Sequence, residues 1–80
     1  MGAELILYTR EGCHLCEQMQ RELVILKDWP EFQLRIVDID EDPALRERFN
    51  EKVPVLTLGE DIICCHRLDR HGLAAALRPD

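Results

Sequence analysis

Two cysteines stand two residues apart, in Cys13-His14-Leu15-Cys16, directly after Arg10-Glu11-Gly12. At the start of a helix, positions i and i+3 share one turn, so two thiols there come within disulfide range. The same turn aims free backbone N–H groups, the positive end of the helix dipole, at the first sulfur and favours its thiolate. A thiolate attacks a disulfide sulfur, and a second thiol one turn on displaces the mixed disulfide that results. Cys13 is therefore the candidate nucleophile and Cys16 the candidate resolving thiol. Arg10 is near enough in sequence to lend a positive charge, which Glu11 and Glu17 oppose. The blander uses of such a pair are half of a zinc site or two inert core cysteines. Context weighs against them, because the pair follows a strand pattern and opens a helical one.

The elements that must position this pair can be read outward from it. A near-continuous apolar run from about Glu4 to Thr9 suits a central strand covered on both faces. The following helix carries Leu15, Met19, Leu23 and Leu26 on one stripe, with Glu17, Gln18, Gln20, Arg21 and Glu22 largely opposite. Val24 and Ile25 widen the stripe near its end, and Trp29-Pro30 closes the helix, since proline disfavours helical backbone in the residue before it. Phe32, Leu34 and Ile36 alternate with Gln33 and Arg35, the period of a strand with one buried face at a sheet edge.

The acidic run Asp38-Ile39-Asp40-Glu41-Asp42-Pro43 imitates a calcium loop but fails as one. Pro43 takes the place of the turn glycine and Phe49 that of the terminal glutamate. It reads better as a helix start, with Asp42 as cap, Pro43 in the first position, and Leu45 and Phe49 as an apolar i, i+4 pair. Arg46 and Arg48 face solvent. Val53-Pro54 leads into the strand Val55-Leu56-Thr57-Leu58, Gly59-Glu60-Asp61 makes a tight loop, and Ile62-Ile63-Cys64 completes an antiparallel hairpin. Asp69 caps a last helix with Leu73 and Leu77 on its apolar face, Arg78 at its negative end and Pro79 beyond it. The order is β-α-β-α-β-β-α.

Composition bounds the rest. A chain of 80 residues reads as a single domain over residues 1–80. A net charge of −6 with no basic block argues against nucleic acid and anionic membranes as partners. No run reaches the ~18 apolar residues of a membrane span, and the N-terminus lacks the pattern of a signal peptide, so the expected address is the cytoplasm. The expected state is a monomer. Thiols are kept reduced in that compartment, so four cysteines point to redox work or metal rather than a disulfide framework. Cys64 and Cys65, adjacent on a strand, should point to opposite faces. The plain reading makes one a buried small hydrophobe and the other a surface thiol. The sharper readings are an auxiliary thiol that exchanges with Cys16, and a zinc or cluster site of Cys13, Cys16, Cys64 and His66. His14, an imidazole able to modulate the thiolate, reads equally as solvated; His66 and His71 read as surface residues.

A strand ending Tyr8-Thr9-Arg10, Gly12-Cys13-x-x-Cys16 opening a helix, and Val53-Pro54-Val55 leading a hairpin and a last helix together resemble the thioredoxin superfamily. Within it the chain looks most like small glutaredoxin-like proteins, from about Glu4 to Leu77. The resemblance implies a thioredoxin-like α/β fold of glutaredoxin type, a four-stranded mixed sheet with helices on both faces. It carries the nucleophile over to Cys13 and the resolving cysteine to Cys16. The family's cis-proline falls on Pro54, where the main chain of Val53 would pair with an extended thiol substrate as an added strand. Arg10 falls where many glutaredoxins have a glutathione-binding lysine. His14-Leu15 replaces their usual Pro-Tyr, and Ile63-Cys64 or Cys64-Cys65 replaces the Gly-Gly that holds the γ-glutamyl end, with side chains that narrow that place. The activity implied is that of a thiol–disulfide oxidoreductase with no bound cofactor and no metal. Its partner is a disulfide-containing protein or a glutathione mixed disulfide, with glutathione a candidate co-substrate. The competing readings are a metal or iron–sulfur carrier and a non-catalytic adaptor on the same scaffold.

Overall fold

In the computed structural model, which describes residues 3–26 and 32–78, the strand before the cysteine pair is the centre of the sheet. This strand, β1 (Ala3–Thr9), is followed by helix α1 (His14–Leu26) and strand β2 (Phe32–Asp38). A single 3₁₀ turn (Ile39–Glu41) then leads into the short helix α2 (Pro43–Phe49). Strands β3 (Val55–Leu58) and β4 (Asp61–Cys65) form a hairpin, and helix α3 (Arg70–Leu77) ends the described chain. The expected helix stop at Trp29-Pro30 and the role of Pro79 lie outside the described residues.

The strand order is β2-β1-β3-β4, with β2 parallel to β1 and the β3–β4 hairpin antiparallel. β1 is thus flanked on both sides, which is why an almost unbroken apolar run suits it. Leu5 and Leu7 are fully buried on one face, in a core shared with Met19 and Leu23 of α1, Leu56 of β3 and Leu73 of α3. The other face carries a smaller core of Ile39, Phe49 and Val55, against which Tyr8, Leu45, Val53 and Cys65 pack. Helices therefore cover both faces of a mixed four-stranded sheet, and the fold is thioredoxin-like α/β.

Local chemistry explains the helix starts. Asp42, in extended backbone, accepts the N–H of Ala44 at 2.9 Å with Pro43 in the first turn of α2, and Asp69 accepts the N–H of Gly72 at 3.0 Å to start α3. Each side chain satisfies a backbone donor that a helix leaves open. Asp38 does the same for the 3₁₀ turn through the N–H of Asp40 at 2.9 Å, and that turn buries Ile39 completely.

Two apolar assignments need correcting. The buried stripe of α1 is Cys16, Met19 and Leu23, while Val24 and Ile25 are 54% and 80% exposed. At 100° per residue, Val24 and Ile25 turn progressively away from the line through Leu23, so their apolar character does not bring them to the sheet. Ile36, which the alternation on β2 would bury, is 43% exposed. β2 is the edge strand with a neighbour on one side only, and burial fails toward its end. The β3–β4 register slips by one residue between Leu56 and Thr57, leaving Ile63 without an opposite partner. Such a bulge lets Ile63 and Cys64 both reach the larger core.

The contrast within α1 is measurable by urea denaturation. Leu23→Ala should lower the unfolding free energy by about 2–5 kcal/mol, the usual cost of emptying a core leucine site. Ile25→Ala should change it by less than about 0.5 kcal/mol. The reverse order would mean that α1 buries its other face.

Candidate functional site

The site is built by a turn and a helix start. The N–H of Cys13 donates to the carbonyl of Arg10 at 3.2 Å, closing a four-residue turn whose third residue, Gly12, has φ +77°. That left-handed backbone is where glycine is favoured, and it accounts for Gly12 in the sequence. The carbonyl of Cys13 then accepts the N–H of Glu17 at 3.2 Å, the first bond of α1. Cys13 thereby stands in the N-cap position, just before the helix begins at His14.

Its sulfur does what a capping oxygen does elsewhere: Sγ of Cys13 accepts the backbone N–H of Cys16 at 3.1 Å. Cys13 and Cys16 are in disulfide contact, with Cα atoms 5.2 Å apart, inside the span a disulfide bridges. Cys13 is half-buried, whereas Cys16, on the buried stripe of α1, is only 2% exposed. One sulfur of the pair is reachable and the other is shielded.

The sheet brings Val53 and Pro54 to the same end of the molecule. Tyr8 pairs with Val55, so the residues before β3 run beside the Thr9-Arg10 end of β1, where the cysteine turn starts. Pro54 is buried, the Val53–Pro54 peptide bond is cis, and Val53 is half-buried against the smaller core. The N–H and C=O of Val53 have no backbone hydrogen-bond partner among the described residues.

Arg10 contributes differently from the charge donor suggested by its sequence position. Its Nε and Nη2 meet the two oxygens of Asp40 at 3.1 and 3.0 Å, and Nη1 reaches the carbonyl of Asn50 at 3.4 Å. The bond to Arg10 holds the Asp40 carboxyl below its ordinary range, and Asp40 in turn raises Arg10. The guanidinium is thus engaged with a carboxylate, and the direct tie from Arg10 to Cys13 is through its main-chain carbonyl. Nothing local in the sequence marks Asp40 as the partner; the pairing needs β1 and β2 side by side in register, which sets Thr9 opposite Asp38.

The other two cysteines lie on opposite faces, as adjacent strand residues must. Both are free and both half-buried, Cys64 on the larger core and Cys65 on the smaller, rather than one buried and one at the surface. Burial pushes the Cys64 thiol above its ordinary range, with the backbone of Asp69 partly offsetting it. His66 is exposed, yet it is built into the structure: its ring Nε2 lies 2.9 Å from the carbonyl of Glu51. Its sequence neighbours mark it only as a surface residue. Among the described residues no group of three or more His, Cys, Asp or Glu is arranged to hold a metal ion, so the set Cys13, Cys16, Cys64 and His66 does not form a ligand cluster.

Comparison with known proteins gives the family and the fold. The family model described as Glutaredoxin-like domain (DUF836) matches residues 4–78. A protein of Nitrosomonas europaea solved by NMR is 38% identical, with a TM-score of 0.86 over 98% of this chain and 94% of its own. An uncharacterized protein of Mycobacterium tuberculosis is 30% identical over 74 residues, which cover 86% of this chain and 76% of that protein. Oxidized mitochondrial thioredoxin 3 of Saccharomyces cerevisiae, at 20% identity, has a TM-score of 0.66 over 95% of this chain and 76% of its own, a likeness of fold.

The helix-start position of Cys13 and the burial of the Cys64 thiol predict an order of reactivity in the reduced protein. Iodoacetamide at neutral pH should label Cys13 first, as read by peptide mass spectrometry. Cys64 should gain label only as the pH rises past that of an ordinary thiol, because the reactive form is the thiolate. Cys64 labelled ahead of Cys13 would contradict the arrangement.

Proposed function

The chain belongs to the glutaredoxin-like domain family of the thioredoxin superfamily, and from that premise we propose that it is a thiol–disulfide oxidoreductase working through Cys13 and Cys16. The observation that carries the reading is the sulfur of Cys13 standing as the cap of α1, with the N–H of Cys16 directed at it. A negative charge on that sulfur is favoured by the hydrogen bond and by the helix terminus together. The pair has capacity for redox work, and the substrate is a disulfide.

In the reductive direction the Cys13 thiolate attacks one sulfur of the substrate disulfide. A new S–S bond forms to Cys13, the substrate bond breaks, and the departing thiolate takes a proton from solvent. Cys16, having given up its own proton, then attacks the Cys13 sulfur. The second substrate thiol is released and the Cys13–Cys16 disulfide is left. The substrate has gained two electrons and the dithiol has lost two; a thiol reductant restores the enzyme by the reverse exchange. Burial of Cys16 keeps it from competing for the substrate in the first step, while its place one turn away makes the second step intramolecular.

Val53 gives the substrate a place to lie. Its main-chain N–H and C=O, without a backbone partner among the described residues and beside the cysteine turn, suit an extended peptide pairing as an added strand. Such pairing needs no particular side chain, so a disulfide in a protein is accommodated as readily as a glutathione mixed disulfide. The Arg10 guanidinium is paired with Asp40 and reaches the carbonyl of Asn50, so a substrate carboxylate, glutathione's included, would meet only the N–H groups that these bonds leave over. In this reading the chain acts as a monomer in a reducing cytoplasm, a compartment in which thiols such as Cys64 and Cys65 stay free.

Turnover of insulin disulfides and of a glutathione mixed disulfide tests the proposal. Wild type should reduce at least one of them, and Cys13→Ser should fall to the uncatalysed background in both. Cys16→Ser should accumulate a covalent mixed disulfide with insulin, visible as a mass adduct. Wild type inactive in both assays, or Cys13→Ser fully active, would remove the basis of the assignment.

A further inference from the structure

We infer that His66 is a positioning residue for the substrate groove, fixing the Val53 main chain opposite the dithiol; the inference rests on the oxidoreductase reading above. Three features of one residue meet here. His66 has φ +68°, a left-handed backbone uncommon outside glycine. Its main-chain N–H donates to the carbonyl of Pro54 at 2.8 Å, one step beyond the Val55–Cys65 pair. Its ring Nε2 lies 2.9 Å from the carbonyl of Glu51. A carbonyl only accepts, so the ring nitrogen is the donor and the Nε2–H tautomer is fixed by the partner.

The two acceptors bracket Lys52 and Val53. One side chain and its own backbone therefore grip both ends of the segment that offers Val53 to a substrate. At its start the segment is also tied to α2 through the N–H of Lys52 and the carbonyl of Phe49 at 2.8 Å. Val53 itself spends neither of its main-chain groups on a backbone partner among the described residues. A groove that binds by main-chain pairing works only while its backbone is held still, since ordering it at each encounter would cost affinity. The ring of His66 supplies that stillness through its bond to Glu51. Its bond survives protonation of the imidazole, because Nε2 keeps its hydrogen in both states.

The position can be probed without disturbing the fold. His66→Gly keeps the main-chain donor and accepts positive φ freely, removing only the ring. Gln carries its amide nitrogen about where histidine carries Nε2, and Asn about where it carries Nδ1, while Asn tolerates left-handed backbone better. Steady-state kinetics would be measured with insulin and with the small bis(2-hydroxyethyl) disulfide, which has no peptide to pair. For insulin, His66→Gly should raise KM by about five- to tenfold, the order of one lost hydrogen bond, with kcat nearly unchanged. For the small disulfide both constants should stay as in wild type. His66→Gln should recover KM for insulin better than His66→Asn; the opposite ranking, or equal KM for wild type and His66→Gly, would overturn the inference. Amide order parameters at Lys52 and Val53 should drop in His66→Gly, and unchanged values would overturn it irrespective of turnover. Wild type inactive on both disulfides would instead defeat the oxidoreductase reading.

Discussion

The N–H of Cys16 points at the sulfur of Cys13 across 3.1 Å, and most of the molecule can be understood as what holds that contact in place. A helix start leaves backbone donors without partners, and here one of them is met by sulfur where serine, threonine or aspartate would ordinarily serve. The substitution has a chemical consequence. A serine or threonine cap stays neutral and only stabilises the helix, whereas a cysteine sulfur in that place is also favoured as an anion by the helix it starts. Under the proposed function, the local stability of α1 and the reactivity of Cys13 are then one interaction seen from two ends.

The surrounding architecture keeps that interaction geometrically sharp. β1 is pinned between β2 and β3, so the turn after Thr9 has a fixed origin. Gly12 allows the chain to fold back within four residues, and burial of Cys16, Met19 and Leu23 against the sheet sets the rotation of α1 about its axis. Turning the helix by one residue would carry Cys16 off the sheet and out of reach of its partner. On the far side of β1, the ladder to β3 delivers Val53 and Pro54 beside the same turn. A stable sheet and a partly accessible sulfur at Cys13 are therefore served by the same residues, with the smaller core around Phe49 packing against Val53 beside them.

What could be read from the sequence was what local chemistry decides. The cysteine spacing, the aspartate caps at Asp42 and Asp69, and the central strand of unbroken apolar residues all depend on neighbours within a few positions. Each is where the sequence places it. The period of α1 was legible, but its width was not: Val24 and Ile25 are apolar without being buried, because burial depends on what lies opposite the helix. Arg10 shows the same limit at the site. Its closeness to Cys13 in sequence suggested a direct electrostatic role, yet Asp40, thirty residues on, takes its guanidinium. His66 is the clearest case, since its partners at Glu51 and Pro54 are set by the β3–β4 hairpin. No short-range pattern distinguishes it from His71.

The central claim is that backbone geometry makes Cys13 an acid stronger than free cysteine. It is tested most directly by following the Cys13 Cβ chemical shift by NMR in the fully reduced protein as pH is varied. The midpoint should lie clearly below the ordinary thiol value of about 8.5. A midpoint at or above that value would contradict the claim.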